Sequence, residues 1–138
     1  MQTITVAVSG GFDPVHSGHI RYFKAAGELG TRLIIFLNSD RWLIEKKGYY
    51  FMKWEERREI LEAVRWIAEV FPVDDKDGTV ASAIRFYRPD IFANGGDRVA
   101  AVPEEAAACS EVGCQMVFGV GGGKIQSSSA LVKQLAKK

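Results

Sequence analysis

Histidine and cysteine are scarce in this chain, and each scarcity closes off a set of chemistries. Of 138 residues only two are histidine and two are cysteine. Cys109 and Cys114 do not form a C-x-x-C pair, and no other cysteine is present to complete a zinc site. Two small thiols without a disulfide pattern suit a reducing compartment. No apolar run approaches the roughly 20 residues of a membrane span, and no basic-plus-apolar leader precedes the first strand pattern. A cytoplasmic protein without a membrane partner is expected. Large charge of either sign is also missing. Eighteen Lys and Arg against 17 Asp and Glu leave a formal net charge of +1. That balance argues against nucleic acid as the main partner and leaves room only for a local anion site. A chain of this length fits a single domain, residues 1–138, and buries roughly two-thirds of its surface on folding.

What the chain does have is alternation. Thr3–Ser9 is β-branched and apolar and reads as a strand. Ser17–Leu29 puts Tyr22, Ala25, Ala26 and Leu29 on one helical stripe, with Ser17 as a candidate cap and Gly30 as a candidate stop. Arg32–Asn38 is nearly continuous apolar sequence, as expected of a parallel strand covered on both faces. A short helical stretch then leads to the polar turn Lys46-Lys47-Gly48 and the aromatic cluster Tyr49-Tyr50-Phe51. Lys53–Ile67 reads as a helix with Ile60, Leu61, Val64 and Ile67 as its core stripe. Ala68–Val73 is a short strand that Pro72 ends or places at an edge. Helix over Thr79–Tyr87, strand over Ile91–Ala93, helix over Pro103–Val112 and strand over Cys114–Val120 follow, and a last helix opens at Ser127-Ser128-Ser129.

This order predicts an α/β fold, a five-stranded parallel sheet with helices on both faces. Ligands of such sheets bind beyond the carboxyl ends of the strands. Three unusual loops fall there together: GGFDPVHSGH after the first strand, NGGDR after the fourth and GGGKIQSSS after the fifth.

Both histidines belong to the first of these loops. His16 and His19 are three residues apart at a helix start and can face one ligand. Unpaired amides and the helix dipole favour an anion there, and a neutral imidazole still donates from one nitrogen. Gly18 leaves the backbone between them open to a phosphate. On spacing alone, a surface histidine pair or half of a metal site also fits. The glycine loops are not a P-loop, because G-x-x-x-x-G-K-[ST] would need glycine at Phe118 and a hydroxyl at Ile125, and the first turn has no G-x-G-x-x-G.

GGFDPVHSGH resembles the G-x-F-D-x-x-H-x-G-H signature of the cytidylyltransferase-like nucleotidyltransferases. The resemblance continues in order through Asn38-Ser39-Asp40, Glu55–Arg57, Gly95-Gly96-Asp97 and the hydroxyls of Ser127–Ser129, so it covers nearly the whole chain. It implies a Rossmann-like nucleotidyltransferase fold. It also implies transfer of a nucleoside monophosphate, CMP before AMP, from CTP or ATP to a small phosphorylated alcohol or sugar, with release of pyrophosphate. His16 and His19 would donate to the phosphates as charge builds in the transition state, and Lys46 would meet the same phosphates. Gly11, Phe12 and Gly18 would line the nucleotide site. Gly95, Gly96 and Asp97 would hold ribose and base, and Ser127, Ser128 and Ser129 the β- and γ-phosphates. Arg57 and Lys124 would serve the acceptor or phosphate end. No protein-held metal is implied, and Mg2+ would accompany the triphosphate. A homodimer is implied too, with Tyr49–Trp54 as a candidate surface.

The residues also admit readings without a ligand. Lys46 and Lys47 fit a solvated turn, Asp97 a turn cap, and the serines a helix N-cap. Arg57 fits a solvated helix charge, although its helical neighbours Lys53, Trp54, Ile60 and Leu61 include no acid, whereas Arg58 has Glu55 and Glu62. Departures from the family pattern at Gly121-Gly122-Gly123-Lys124, Gln126, Asn94 and Arg98 leave acceptor and base open. Pantetheine- or nicotinate-type adenylyl transfer and a non-catalytic nucleotide-binding module are the rival functions.

Overall fold

The computed structural model describes residues 2–96, 98 and 100–122. Within them the elements are β1 (Thr5–Gly10), α1 (Ser17–Gly27), β2 (Arg32–Leu37), α2 (Asp40–Lys47), α3 (Trp54–Glu62), β3 (Ile67–Pro72), α4 (Ala81–Tyr87), β4 (Ile91–Gly95), α5 (Pro103–Val112) and β5 (Gln115–Val120). Every strand pairing is parallel and the sheet order is β3-β2-β1-β4-β5. The α/β parallel sheet expected from the alternation is present. The helix expected after Ser127 lies outside the described residues.

Residues that alternate along a strand face opposite sides of the sheet, and here both sides are apolar. Val6, Val8, Leu33, Ile35 and Leu37 pack with Phe23 of α1 and Leu61 of α3 on one face. Ala7, Ile34, Phe36 and Phe92 pack with Ile84 of α4 and Ala108 of α5 on the other. This double cover explains the unbroken apolar run of β2. Each large side chain fully buried in these layers contributes roughly 1.5–3 kcal/mol, so the sheet is a firm platform for the loops at its carboxyl end. Pro72 closes β3, which lies at one sheet edge, so both parts of its sequence reading hold.

Several boundaries differ from the sequence reading. Helix α3 stops at Glu62 rather than Ile67. Ala63 and Val64 donate to the carbonyls three residues back, which tightens the last turn and releases Ile67 to pair in β3 opposite Leu33. The buried face of α3 is Arg57 and Leu61, one i,i+4 step, and Ile60 is 39% exposed, so the expected core stripe through Ile60 is corrected. Helix α1 is capped by His16, not Ser17, and ends at Gly27. Gly30 therefore does not stop it. A Cβ on Gly30 would sit 2.6 Å from the Ile4 carbonyl oxygen, so glycine serves close packing there. Lys46 and Lys47 form the last turn of α2 rather than a loop, and Gly48 follows at φ 87°, the left-handed conformation that ends many helices.

The strand order reverses between β1 and β4. They pair at Val6↔Ile91 and Ala7↔Phe92, and each strand then runs three residues to its end, at Gly10 and Gly95. The crevice beyond that point is where open parallel sheets take their ligands.

Candidate active site

The loop from Gly11 to His16 is held from below by buried polar groups. Phe12 adopts φ 48°, a left-handed conformation uncommon outside glycine, and its ring is buried. That ring meets His19 edge-on at 5.0 Å and Phe23 at the same distance, and so forms a floor beneath the second histidine. The Asp13–Pro14 peptide is cis. Asp13 is buried, and its carboxylate accepts the amides of Phe51 (2.6 Å) and Met52 (2.7 Å). This fastens the loop between α2 and α3 onto the loop after β1.

Arg57 completes the fastening. It is fully buried, with Nε donating to the Met52 carbonyl at 2.9 Å. Nη1 donates to the carbonyls of Gly11 (2.8 Å) and Asn38 (2.9 Å), and Nη2 to Asp40 Oδ1 at 2.7 Å. Four of the five guanidinium N–H groups are thus committed within the chain. The expectation of a phosphate- or acceptor-facing Arg57 is corrected on this geometry. Its acid lies in another helix, Asp40 of α2, which a search of its own helical neighbours cannot find. Asp75 does the same work one strand over. Its carboxylate accepts Asn38 Nδ2 (3.0 Å), the Ser39 amide (2.9 Å) and Ser39 Oγ (2.7 Å), and Ser39 Oγ in turn caps α2 at Trp42 N (3.1 Å). The Asn38-Ser39-Asp40 segment is therefore a joint between β2, α2, α3 and the loop after β3.

The histidine pair sits on this platform. His16 is the N-cap of α1, where its Nδ1 accepts the Gly18 amide at 3.1 Å. His19 Nδ1 accepts the His16 amide at 3.2 Å, which completes a reciprocal capping box built from imidazoles. Both acceptor nitrogens must be unprotonated, so each neutral ring carries its proton on Nε2. The rings stack at 3.8 Å with 22° between their planes, so the two donors lie side by side. The Gly18 amide, expected to lie open to a phosphate, is taken up by His16. Gly11 is needed for close packing, because a Cβ there would lie 2.6 Å from Leu43 Cδ2 of α2.

Lys46 is exposed on the last turn of α2, its ammonium 4.5 Å from the centre of the Trp42 ring. Gly95 ends β4, and its carbonyl accepts the Arg98 amide at 3.2 Å. Asp97, Lys124, Ser127, Ser128 and Ser129 lie outside the described residues. Tyr22 of α1 donates its hydroxyl to the Ala93 carbonyl and ties α1 to β4. The hydrogen-bonding roles of Asp13, Asp75 and Tyr22 have no local sequence signal, because their partners lie 36 to 71 residues away. Cys109 and Cys114 are buried and unbridged, with burial pushing the Cys109 thiol up and the Cys114 thiol up to about 12. Among the described residues no group of three or more His, Cys, Asp or Glu side chains could hold a metal ion. None of the described helices is long and apolar enough to cross a membrane.

A doubly covered parallel sheet with a helix opening at its switch point places the chain among Rossmann-like α/β proteins. The cytidylyltransferase-like profile matches residues 7–119, from β1 to the end of the sheet. The chain belongs to the cytidylyltransferase-like family. It is 36% identical over 97 residues to an FAD synthase of Pyrococcus horikoshii, which covers 69% of this chain and 64% of that protein. It thus spans somewhat less than two-thirds of that relative's length. It is 30% identical over 92 residues to the glycerol-3-phosphate cytidylyltransferase of Bacillus subtilis, covering 67% of this chain and 70% of that protein. A lipopolysaccharide core biosynthesis protein of Thermoplasma volcanium shares the fold with a TM-score of 0.77 at 20% identity, over 91% of this chain and 100% of that one.

Proposed function

We propose that this chain is a nucleotidyltransferase. It moves a nucleoside monophosphate from a triphosphate, CTP before ATP, to a small phosphorylated alcohol or sugar. An oxygen of the acceptor phosphate attacks the α-phosphorus, and the bond from that phosphorus to the bridging oxygen of the β-phosphate breaks. Pyrophosphate leaves with the bridging oxygen and its charge. No covalent enzyme intermediate is required.

The observation that carries this reading is the histidine pair. Two imidazoles locked through Nδ1 to the backbone of their own helix present two Nε2–H donors at the head of α1. Preorganised donors of this kind stabilise charge that develops on phosphate oxygens, and each is worth about 10²–10³ in rate. Gly11, Phe12, Gly18, Gly95 and Asp97 line the nucleotide site in this reading. Lys46 and Ser127–Ser129 serve its phosphates, and Lys124 the acceptor end. Arg57 acts at one remove, by fixing Gly11 and the loop that follows. Magnesium would accompany the triphosphate and screen its charge.

Similarity to the Bacillus cytidylyltransferase supports CTP. Similarity to FAD synthases supports the second reading, adenylyl transfer from ATP. A homodimer in the cytoplasm is part of the proposal, with exposed Tyr50 and Phe51 as its surface. Pyrophosphate release, with four nucleoside triphosphates crossed against a panel of phosphorylated alcohols, sugars and FMN, tests the reading. Release with CTP and a polyol phosphate is the expected outcome. Release only with ATP and FMN would favour the second reading. Triphosphate binding with no release across the panel would overturn both in favour of a non-catalytic module.

A further inference from the structure

The loop after β4 carries an arginine that is aimed from behind by a buried acid. Arg98 follows the end of β4 by three residues, beyond the carboxyl edge of the sheet at which the parallel neighbour β1 also ends. Its side chain is 38% exposed, and its guanidinium makes one side-chain bond among the described residues, Nη1 to Glu105 Oε1 at 3.3 Å. Glu105 lies in the first turn of α5 and is 5% exposed. Its other oxygen accepts the Val80 amide at 3.1 Å, at the head of α4. The carboxylate is therefore fixed on two elements that belong to the sheet's packed layers, α4 and α5, and reaches out to a loop residue that belongs to neither.

Burial pushes the Glu105 carboxyl above its ordinary range, and Arg98 is the cation that opposes this. A buried carboxylate with one amide donor and one cation is an expensive device for holding a surface loop. An exposed ion pair elsewhere on the chain, such as Arg41–Glu45, would serve mere solubility. Among the described residues the planar guanidinium spends one N–H group on a side chain, and its fork matches phosphate oxygens.

Resting on the nucleotidyltransferase reading, we propose that Arg98 binds a phosphate of the nucleotide and that Glu105 is its positioning residue. The guanidinium meets the phosphate chain from the β4 side while the histidines meet it from the β1 side. Glu105 holds the fork in that orientation before the ligand arrives, so less side-chain freedom is lost on binding.

Calorimetric titration of the full chain with CTP and ATP, beside the nucleosides cytidine and adenosine, tests this without needing the acceptor. Arg98→Ala is expected to weaken triphosphate binding at least tenfold and leave nucleoside binding unchanged. Arg98→Lys, which keeps the charge and loses the fork, is expected to fall between, and it serves if the alanine variant fails to fold. Glu105→Gln retains an acceptor for Val80 N–H. It is expected to weaken triphosphate binding several-fold and to raise the nucleotide KM by more than it lowers kcat, with folding intact by circular dichroism. Equal triphosphate affinity in wild type and the Arg98 variants would overturn the proposal, as would an equal loss for nucleosides. A Glu105→Gln variant that loses melting temperature but no affinity would reduce Glu105 to a structural cap. Wild type that binds no triphosphate would overturn the nucleotidyltransferase reading itself, which is a separate result.

Discussion

The carboxyl ends of β1 and β2 lie side by side in the sheet, yet their polar groups are used in opposite ways. At the end of β2, Asn38, Ser39, Asp40, Asp75 and Arg57 answer one another within the chain. At the end of β1, the two histidines use Nδ1 on the backbone of α1 and carry their protons on the other nitrogen. The closed network sets geometry. The histidine pair supplies donors whose direction that geometry fixes. A buried polar network that is fully satisfied is rigid, and Arg57 transmits this rigidity to Gly11, the first residue of the histidine loop.

The largest expected effect breaks the comparison on the β1 side. His19→Ala removes one donor and should lower turnover by about 10²–10³-fold, measured as pyrophosphate release, because that is the usual cost of losing a preorganised donor. It also removes half of the capping box, at about 1 kcal/mol of stability. Second in size, Arg57→Ala strikes the β2 side. It leaves Asp40 and the carbonyls of Gly11, Asn38 and Met52 without their donor, and chemical denaturation should report a loss of about 3 kcal/mol or more. Arg57→Lys should recover little of it, because a single ammonium cannot span those acceptors. A stable Arg57→Ala protein with unchanged nucleotide affinity would contradict the division of labour described above.

The smallest expected effects come from pH and sharpen the comparison. Glu105 has its folded value raised by burial against Arg98 and the Val80 amide, with Asp77 and Glu104 adding to the rise. Its contribution to stability is therefore fully present below the ordinary glutamate range and is lost as pH rises through the folded value. Asp77 is lowered by its hydrogen bonds to Thr79 and runs the other way. Its contribution is present above the ordinary aspartate range and is lost as pH falls through the folded value. Melting temperatures of Glu105→Gln relative to wild type should thus improve as pH rises from about 4 to 7, and those of Asp77→Asn should worsen as pH rises from about 2 to 5.

Much of the fold was legible in the sequence because parallel strands covered on both faces leave continuous apolar runs, as in Arg32–Leu37, and because Pro103 and Gly113 punctuate α5 within one residue of its ends. The histidine pair was legible because its partners are two and three residues away. Arg57 was misread for the complementary reason. Its partners lie on three separate segments, and only the folded chain brings Gly11, Asn38, Asp40 and Met52 around one guanidinium. Ile60 was misplaced because an arginine occupies the inward position that a hydrophobicity pattern assigns to an aliphatic residue. The pairing of Arg98 with Glu105 gave no sequence signal, since the two sit in different elements seven residues apart.

The central claim is that capping and catalysis reside on different nitrogens of the same rings. His16→Asn separates them. Asparagine is among the best N-caps and places its amide oxygen where Nδ1 stood, but it has nothing at the Nε2 position. The rate of pyrophosphate release by His16→Asn, with the nucleotide and acceptor that wild type uses, is the direct measurement. A fall of about 10²–10³-fold at a wild-type melting temperature is the predicted result. Turnover close to wild type would contradict the claim and reduce His16 to a helix cap.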